Sequence, residues 1–325
     1  MKIGILGCGA YGLALSSIMH DNGHDITMWT RFEEEKRDLE EDRCSNTKLP
    51  DYKIPKDIKF TTDLETCVKD KNLIVCAVPA AFIDELAQNL TPYLNVNDKL
   101  LIATKGIEQD TGLFIHEIFN KYIKTKNIAV ISGPSFAVDL ITKMPAGLSL
   151  ASKNNKTRLV VRKALANKYI KLRDSNDLIG TEVCGAIKNV IALSSGMLEG
   201  LGANDSTKAM LLTEATHDMV EILHSFRAKG RTVTSFAGLG DLILTCTSVK
   251  SRNYTFGKMI GSKTSKEKID NYLEKTTVEG YYTLVSIYKL LKDKKVNIPI
   301  IDLIYDIVVK NDNPEKLLTF LVEKD

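Results

Sequence analysis

Lys188 is the residue of this chain whose surroundings most invite a chemical reading. Residues 183–197 have helical spacing, and Val183, Ile187, Val190, Ile191 and Leu198 form the apolar stripe. At about 100° per residue, Lys188 points well away from that stripe. Its neighbours on the helix surface are Thr181, Cys184, Gly185, Ala192 and Ser195, all small and none charged. A solvated lysine face normally carries other charges, whereas a small-residue face lets another group pack closely on the amine. An ammonium held there can stabilise and protonate an oxygen that gains negative charge. A lysine snorkelling at a domain edge would show the same pattern.

Two further polar segments follow. In Ala237-Gly238-Leu239-Gly240-Asp241-Leu242 the carboxylate is flanked by glycine and apolar residues, where it would be costly without a partner. Ser251-Arg252-Asn253 reads as a helix start, with Ser251 as N-cap and Arg252 in the first turn. A helix N-terminus beside a guanidinium fork suits a phosphate dianion, although an ordinary cap with a surface arginine looks similar. Lys105-Gly106 and Ser132-Gly133-Pro134-Ser135 each follow an apolar strand-like run. That places them at the carboxyl ends of strands, where open α/β sheets bind ligands, but each also fits a plain strand-ending turn.

The chain opens on Gly7-Cys8-Gly9-Ala10-Tyr11-Gly12, a G-x-G-x-x-G loop between a strand-like run at 2–6 and a helical segment at 10–21. A second strand-like run at 25–30 completes the βαβ context that gives the motif meaning. Gly7 makes the tight turn, Gly9 lets backbone approach a pyrophosphate, and Gly12 packs helix on strand. The acid that commonly grips the adenosine ribose is missing from Trp29-Thr30-Arg31, and none occurs before Glu33. An arginine there can pair with a 2′-phosphate, so Arg31 favours NADP(H) over NAD(H).

These residues need a frame. Apolar runs at 2–6, 25–30, 72–78, 99–104, 127–132, 146–151 and 169–172 alternate with helical segments such as 80–90 and 113–122. The alternation predicts an α/β fold: an N-terminal Rossmann-like, mostly parallel sheet domain over residues 1–176. Beyond residue 177 the spacing is helical, predicting an all-helical C-terminal domain over 177–325. The length of 325 residues suits two domains, and 44% hydrophobic residues supply ample core. A formal net charge of +3 provides no field that would draw nucleic acid. The six cysteines contain no C-x-x-C pair, so a reducing compartment and no structural metal are expected. Without a signal-peptide pattern or an apolar run near ~20 residues, the expected location is the cytoplasm, with no membrane span.

Taken together, the chain resembles the NAD(P)-dependent glycerol-3-phosphate dehydrogenases over nearly its whole length. The shared stretches are the glycine loop, Thr104-Lys105-Gly106, Gly133-Pro134-Ser135-Phe136-Ala137 and Glu182-Val183-Cys184-Gly185-Ala186-Ile187-Lys188-Asn189. Gly240-Asp241-Leu242, Thr245-Cys246, Ser251-Arg252-Asn253 and Val278-Glu279-Gly280 complete the set. The resemblance implies hydride transfer between NAD(P)H and dihydroxyacetone phosphate, supplying sn-glycerol 3-phosphate for phospholipid synthesis. It implies Lys188 as the proton-transfer residue with Asp241 orienting it. Substrate contacts are implied for Lys105, Gly133, Ser135, Asn189, Asp241, Thr245, Ser251, Arg252 and Asn253. Cofactor contacts are implied for Ala10, Tyr11, Arg31, Lys105, Ala137, Arg252, Thr277 and Glu279, beside Gly7, Gly9 and Gly12 of the loop. A homodimer is likewise implied. Ala10-Tyr11 replaces the commoner Ser-Trp, Asp139 a frequent Glu, Thr277 a usual valine, and Glu214 a common arginine. Two rivals share the glycine loop: another two-domain hydroxyacid dehydrogenase, and a dinucleotide sensor without catalysis.

Overall fold

The computed structural model describes residues 1–108, 111–123 and 125–323. It divides into two compact units, Met1–Lys105 with Phe114–Leu178, and Gly106–Leu113 with Ile179–Asp325. The boundary therefore falls two residues beyond the expected 176/177. Gly106–Leu113, expected in the first domain, goes with the second unit, where Gly112 lies against Leu290.

The first unit is built on one eight-stranded sheet. Its strands are β1 (Lys2–Leu6), β2 (Asp25–Trp29), β3 (Lys59–Thr61), β4 (Leu73–Cys76) and β5 (Leu100–Ile102), followed by β6 (Ile128–Ser132), β7 (Ala146–Ala151) and β8 (Ile170–Ser175). Their spatial order is β3-β2-β1-β4-β5-β6-β7-β8. All neighbours are parallel except β6 and β7, which run antiparallel. Parallel strands covered on both faces read as continuous apolar runs, and all four residues of β4 are buried. The covering helices are α1 (Ala10–Asp21), α2 (Glu33–Asp42), α3 (Leu64–Val68) and α4 (Ile83–Leu90), then α5 (Ile115–Tyr122), α6 (Ala137–Leu140) and α7 (Asn155–Leu165). Because β1 lies between β2 and β4, the strand order reverses at β1, and the crevice beyond its carboxyl end is the expected ligand site.

The second unit is helical: α8 (Leu178–Gly200), α9 (Asp205–Ser225), α10 (Asp241–Cys246) and α11 (Arg252–Gly261), then α12 (Lys266–Lys275), α13 (Glu279–Asp293), α14 (Pro299–Lys310) and α15 (Lys316–Glu323). Its longest helix is α8, 23 residues whose apolar character is interrupted by Glu182, Lys188 and Asn189. Among the described residues it is the one helix that could cross a membrane by length and composition, yet 94% of its most apolar stretch is buried inside the protein. It is a core helix. α8 and α11 touch backbone to backbone: a Cβ on Gly257 would stand 2.0 Å from the Leu193 carbonyl oxygen, and one on Gly196 2.0 Å from that of Tyr254. Only glycine permits that approach. It fixes the helix carrying Lys188 against the helix that begins at Arg252.

Candidate active site

Each unit assembles one half of the predicted site residues. In the first, Gly7 leaves β1 with φ +110° and donates its N–H to the Trp29 carbonyl at 2.9 Å. A Cβ on Gly12 would lie 2.2 Å from the Gly7 oxygen, so the loop and α1 are in contact. A Cβ on Gly9, by contrast, would meet nothing within 4 Å. The protein's own packing does not require glycine there, and the bare backbone is what a pyrophosphate would approach. Gly9 is also the N-cap of α1 and offers no side chain to its first-turn N–H groups, among them those of Ala10 and Tyr11. The loop fits a dinucleotide diphosphate.

Tyr11 turns from α1 toward the ends of the neighbouring strands. Its hydroxyl lies 3.0 Å from Ser135 Oγ, and the Lys105 ammonium stands 5.9 Å from its ring centroid. Ser135 donates to the Gly133 carbonyl at 2.9 Å, so Tyr11 is the donor to Ser135. Tyr11, Lys105, Gly133 and Ser135 are thus gathered just beyond β5 and β6. Ala137 opens α6, which packs on α1. Arg31 is exposed, 3.0 Å from the Glu85 carboxylate.

Lys188 and Asp241, 53 residues apart, meet in the second unit. The Lys188 ammonium is 2.5 Å from Asp241 Oδ1 and 2.8 Å from Thr245 Oγ1. Thr245 spends its hydroxyl proton on the Asp241 carbonyl at 2.6 Å, one turn back along α10, so toward Lys188 it accepts. All three residues are no more than 5% exposed. A buried ammonium with a carboxylate and a hydroxyl aimed at it is fixed in position as well as in charge. Asp241 sits midway along the continuous helical stretch Phe236–Cys246, whose N-cap is Ser235. It is delivered there by Phe236–Gly240, a single wide π-type turn. Burial also pushes the nearby Cys246 thiol far up, although the Lys188 ammonium pulls it down.

A second chain of bonds ties the remaining residues together. Glu279 accepts from Asn189 Nδ2 at 3.3 Å, Asn189 Oδ1 accepts from Asn253 Nδ2 at 3.0 Å, and Asn253 Oδ1 accepts from the Gly280 N–H at 2.8 Å. Adjacent residues of α8 thereby hold the two networks, Lys188 one and Asn189 the other. Ser251 caps α11 by accepting from the Tyr254 N–H at 3.2 Å, which places exposed Arg252 in the first turn as expected. Thr277 is exposed in the link before α13 and enters neither network.

Sequence reasoning missed an acid. Glu35, in the first turn of α2, accepts the hydroxyl proton of Thr30 and pairs with Lys48. The end of β2 is therefore not without a carboxylate; the signal was the three-glutamate start of α2, which reads as a solvated charge run. The rule of one acid at the strand end overlooks an acid that folds back to it. Among the described residues no group of three or more His, Cys, Asp or Glu is placed to hold a metal ion.

Two family models divide the chain between them. The N-terminal model of NAD-dependent glycerol-3-phosphate dehydrogenase matches residues 2–158, and its C-terminal model matches 177–319. The chain belongs to this family. Its curated relatives include a glycerol-3-phosphate dehydrogenase [NAD(P)+] of Staphylococcus epidermidis, 33% identical over 100% of this chain and 98% of its own. The counterpart from Fusobacterium nucleatum is 34% identical, covering 100% and 97%. Among solved structures, glycerol-3-phosphate dehydrogenase from Coxiella burnetii superposes with a TM-score of 0.93 at 27% identity, over 99% of both chains. A D-mandelate dehydrogenase reaches a TM-score of 0.61 at 15% identity over 98% of this chain and 99% of its own, a likeness of fold alone. The rival reading as a hydroxyacid dehydrogenase therefore shares the architecture and not the family.

Proposed function

We propose that the chain reduces dihydroxyacetone phosphate to sn-glycerol 3-phosphate with NAD(P)H, reversibly, with Lys188 as the proton-transfer residue. The observation that carries this reading is the buried Lys188–Asp241–Thr245 cluster on the helix whose next residue, Asn189, bonds Asn253 and Glu279. When bound, reduced nicotinamide supplies the hydride for C2 of the substrate. As the C2 oxygen gains negative charge, Lys188 stabilises it and then gives it a proton. Asp241 and Thr245 keep the nitrogen fixed, so little reorganisation accompanies the transfer. In the oxidative direction the same nitrogen takes the proton back.

Arg252 and the first N–H groups of α11 hold the phosphate, aided by Asn253. Fixing that remote group supplies binding energy that positions C2. Tyr11, hydrogen-bonded to Ser135, contacts the cofactor, Ser135 contacts the substrate, and Gly7, Gly9 and Gly12 receive the diphosphate. The reading extends to a cytoplasmic homodimer that supplies glycerol phosphate to phospholipid synthesis. A sensor without catalysis would have little use for a buried ammonium paired this closely. The test is reduced-nicotinamide absorbance with dihydroxyacetone phosphate and, separately, unphosphorylated dihydroxyacetone. The phosphorylated ketone should be favoured in kcat/KM by at least about 100-fold, the worth of two charge-assisted hydrogen bonds. Comparable values for the two ketones would overturn the phosphate role.

A further inference from the structure

We propose that Glu35 reads the adenosine 2′ position of the bound dinucleotide and makes the chain prefer NAD(H) to NADP(H), an inference that rests on the dinucleotide-binding reading above. In βαβ dinucleotide folds an acid at the end of the second strand accepts the ribose hydroxyls. Here β2 ends at Trp29 and is followed by Thr30, buried and anchored by its N–H to the Thr61 carbonyl at 3.1 Å. A threonine is too short and carries no charge to do that work alone. Its hydroxyl is oriented, however: it accepts from the Phe32 N–H at 3.4 Å and donates to Glu35 Oε2. Glu35 is thereby drawn back from the first turn of α2 onto the strand end. Lys48 grips the other carboxylate oxygen.

The carboxylate also lies beside the glycine loop. Cys8, between the first two glycines, points its thiol at the Trp29 carbonyl at 3.6 Å. After burial, the charge of Glu35 is the strongest influence raising that thiol's pKa, and Lys48 opposes it. A carboxylate offers about four lone-pair sites, and Thr30 and Lys48 engage one on each oxygen. The remaining sites can accept ribose hydroxyls. A 2′-phosphate in their place would set a dianion against the carboxylate lone pairs, with the Lys48 ammonium already engaged by Glu35. Arg31, on which an NADP(H) preference was expected, faces Glu85 in an exposed pair and does not offset Glu35.

The test is binding alone, without substrate. Trp29 is the chain's single tryptophan and ends β2, so its fluorescence reports directly on occupancy of this corner. NADH and NADPH are each titrated into the full-length protein and its variants, with thermal melting as a check on folding. The wild type should bind NADH more tightly. Glu35→Gln should move the NADPH:NADH affinity ratio about tenfold toward NADPH, the order expected for a carboxylate facing a doubly charged phosphate near solvent. Thr30→Val, which releases Glu35, should move the ratio the same way, and Arg31→Ala should leave it within about twofold. An unchanged ratio in Glu35→Gln, or a wild-type preference for NADPH, would overturn this proposal and leave the dehydrogenase reading standing. Failure of the wild type to bind either dinucleotide would overturn both.

Discussion

Replacing Lys188 by methionine keeps the length of the side chain and removes its charge and its protons. Two separate consequences follow from the geometry. The first is catalytic: without the ammonium the C2 oxygen loses its proton donor, and kcat should fall by at least ~100-fold, the lower end for general acid–base catalysis. The second is structural. Asp241 is 1% exposed and would lose a cation 2.5 Å away. Breaking a buried pair from one side costs about 3–5 kcal/mol, which corresponds to a fall in melting temperature on the order of 10 °C. The double variant Lys188→Met/Asp241→Asn separates the two effects. With both charges gone it should recover most of the lost stability and none of the lost activity. The assays are thermal unfolding and reduced-nicotinamide absorbance with dihydroxyacetone phosphate, run on the same preparations. Lys188→Arg should also be inactive, because a guanidinium cannot exchange its proton at accessible pH. Near-normal kcat in Lys188→Met would refute the assignment and move attention to Lys105. A double variant no more stable than the single would refute the ion pair as the source of the instability.

Gly280→Ala should disable the enzyme through α8, because its Cβ would stand 2.3 Å from the Asn189 carbonyl oxygen and 2.9 Å from Asn253 Oδ1. The expected result is a lower melting temperature together with a raised KM for dihydroxyacetone phosphate, measured by thermal unfolding and steady-state kinetics. Alkylation with iodoacetamide under native conditions, followed by peptide mass spectrometry, should label Cys44 and spare the other five cysteines. Those five are buried, and burial holds the Cys76 thiol up at about 11 and that of Cys67 at about 12, so neither forms much thiolate at neutral pH. Ser251→Ala removes the cap of α11 and should cost about 1 kcal/mol of stability, with phosphate affinity falling in parallel; unaltered substrate affinity would separate that helix end from the phosphate.

What was legible in the sequence was what depends on neighbours along the chain. The glycine loop, the apolar run of β4 and the Ser251 cap are local patterns, and each appears where its spacing placed it. β3 is not visible in the sequence because Lys59–Thr61 is a three-residue edge strand, too short to show a period. β8 was read short: its second half, Arg173-Asp174-Ser175, is polar and lies mostly in solvent, so periodicity ends before the pairing with β7 does. α7 is also hard to read, since its buried face of Thr157, Val161, Ala164 and Leu165 begins on a threonine and Leu159 lies exposed beside it. The small-residue face of Lys188 hinted at close packing, but nothing local identified Asp241 and Thr245 as what packs there. Pairings across 53 and 57 residues are tertiary facts; the first is expected only beside the family resemblance, and the second not at all. Glu35 was lost for the opposite reason, as one charge in a run where most are solvated.

Hydride transfer to C2 of dihydroxyacetone phosphate leaves an isotopic trace in the product. Reduced dinucleotide carrying deuterium at both positions of nicotinamide C4 is turned over with the purified protein, and the product is examined by NMR. Stoichiometric deuterium is expected at C2 of glycerol 3-phosphate, and loss of that labelled product in Lys188→Met. Oxidation of the dinucleotide with no deuterium at C2, or no glycerol 3-phosphate at all, would contradict that transfer.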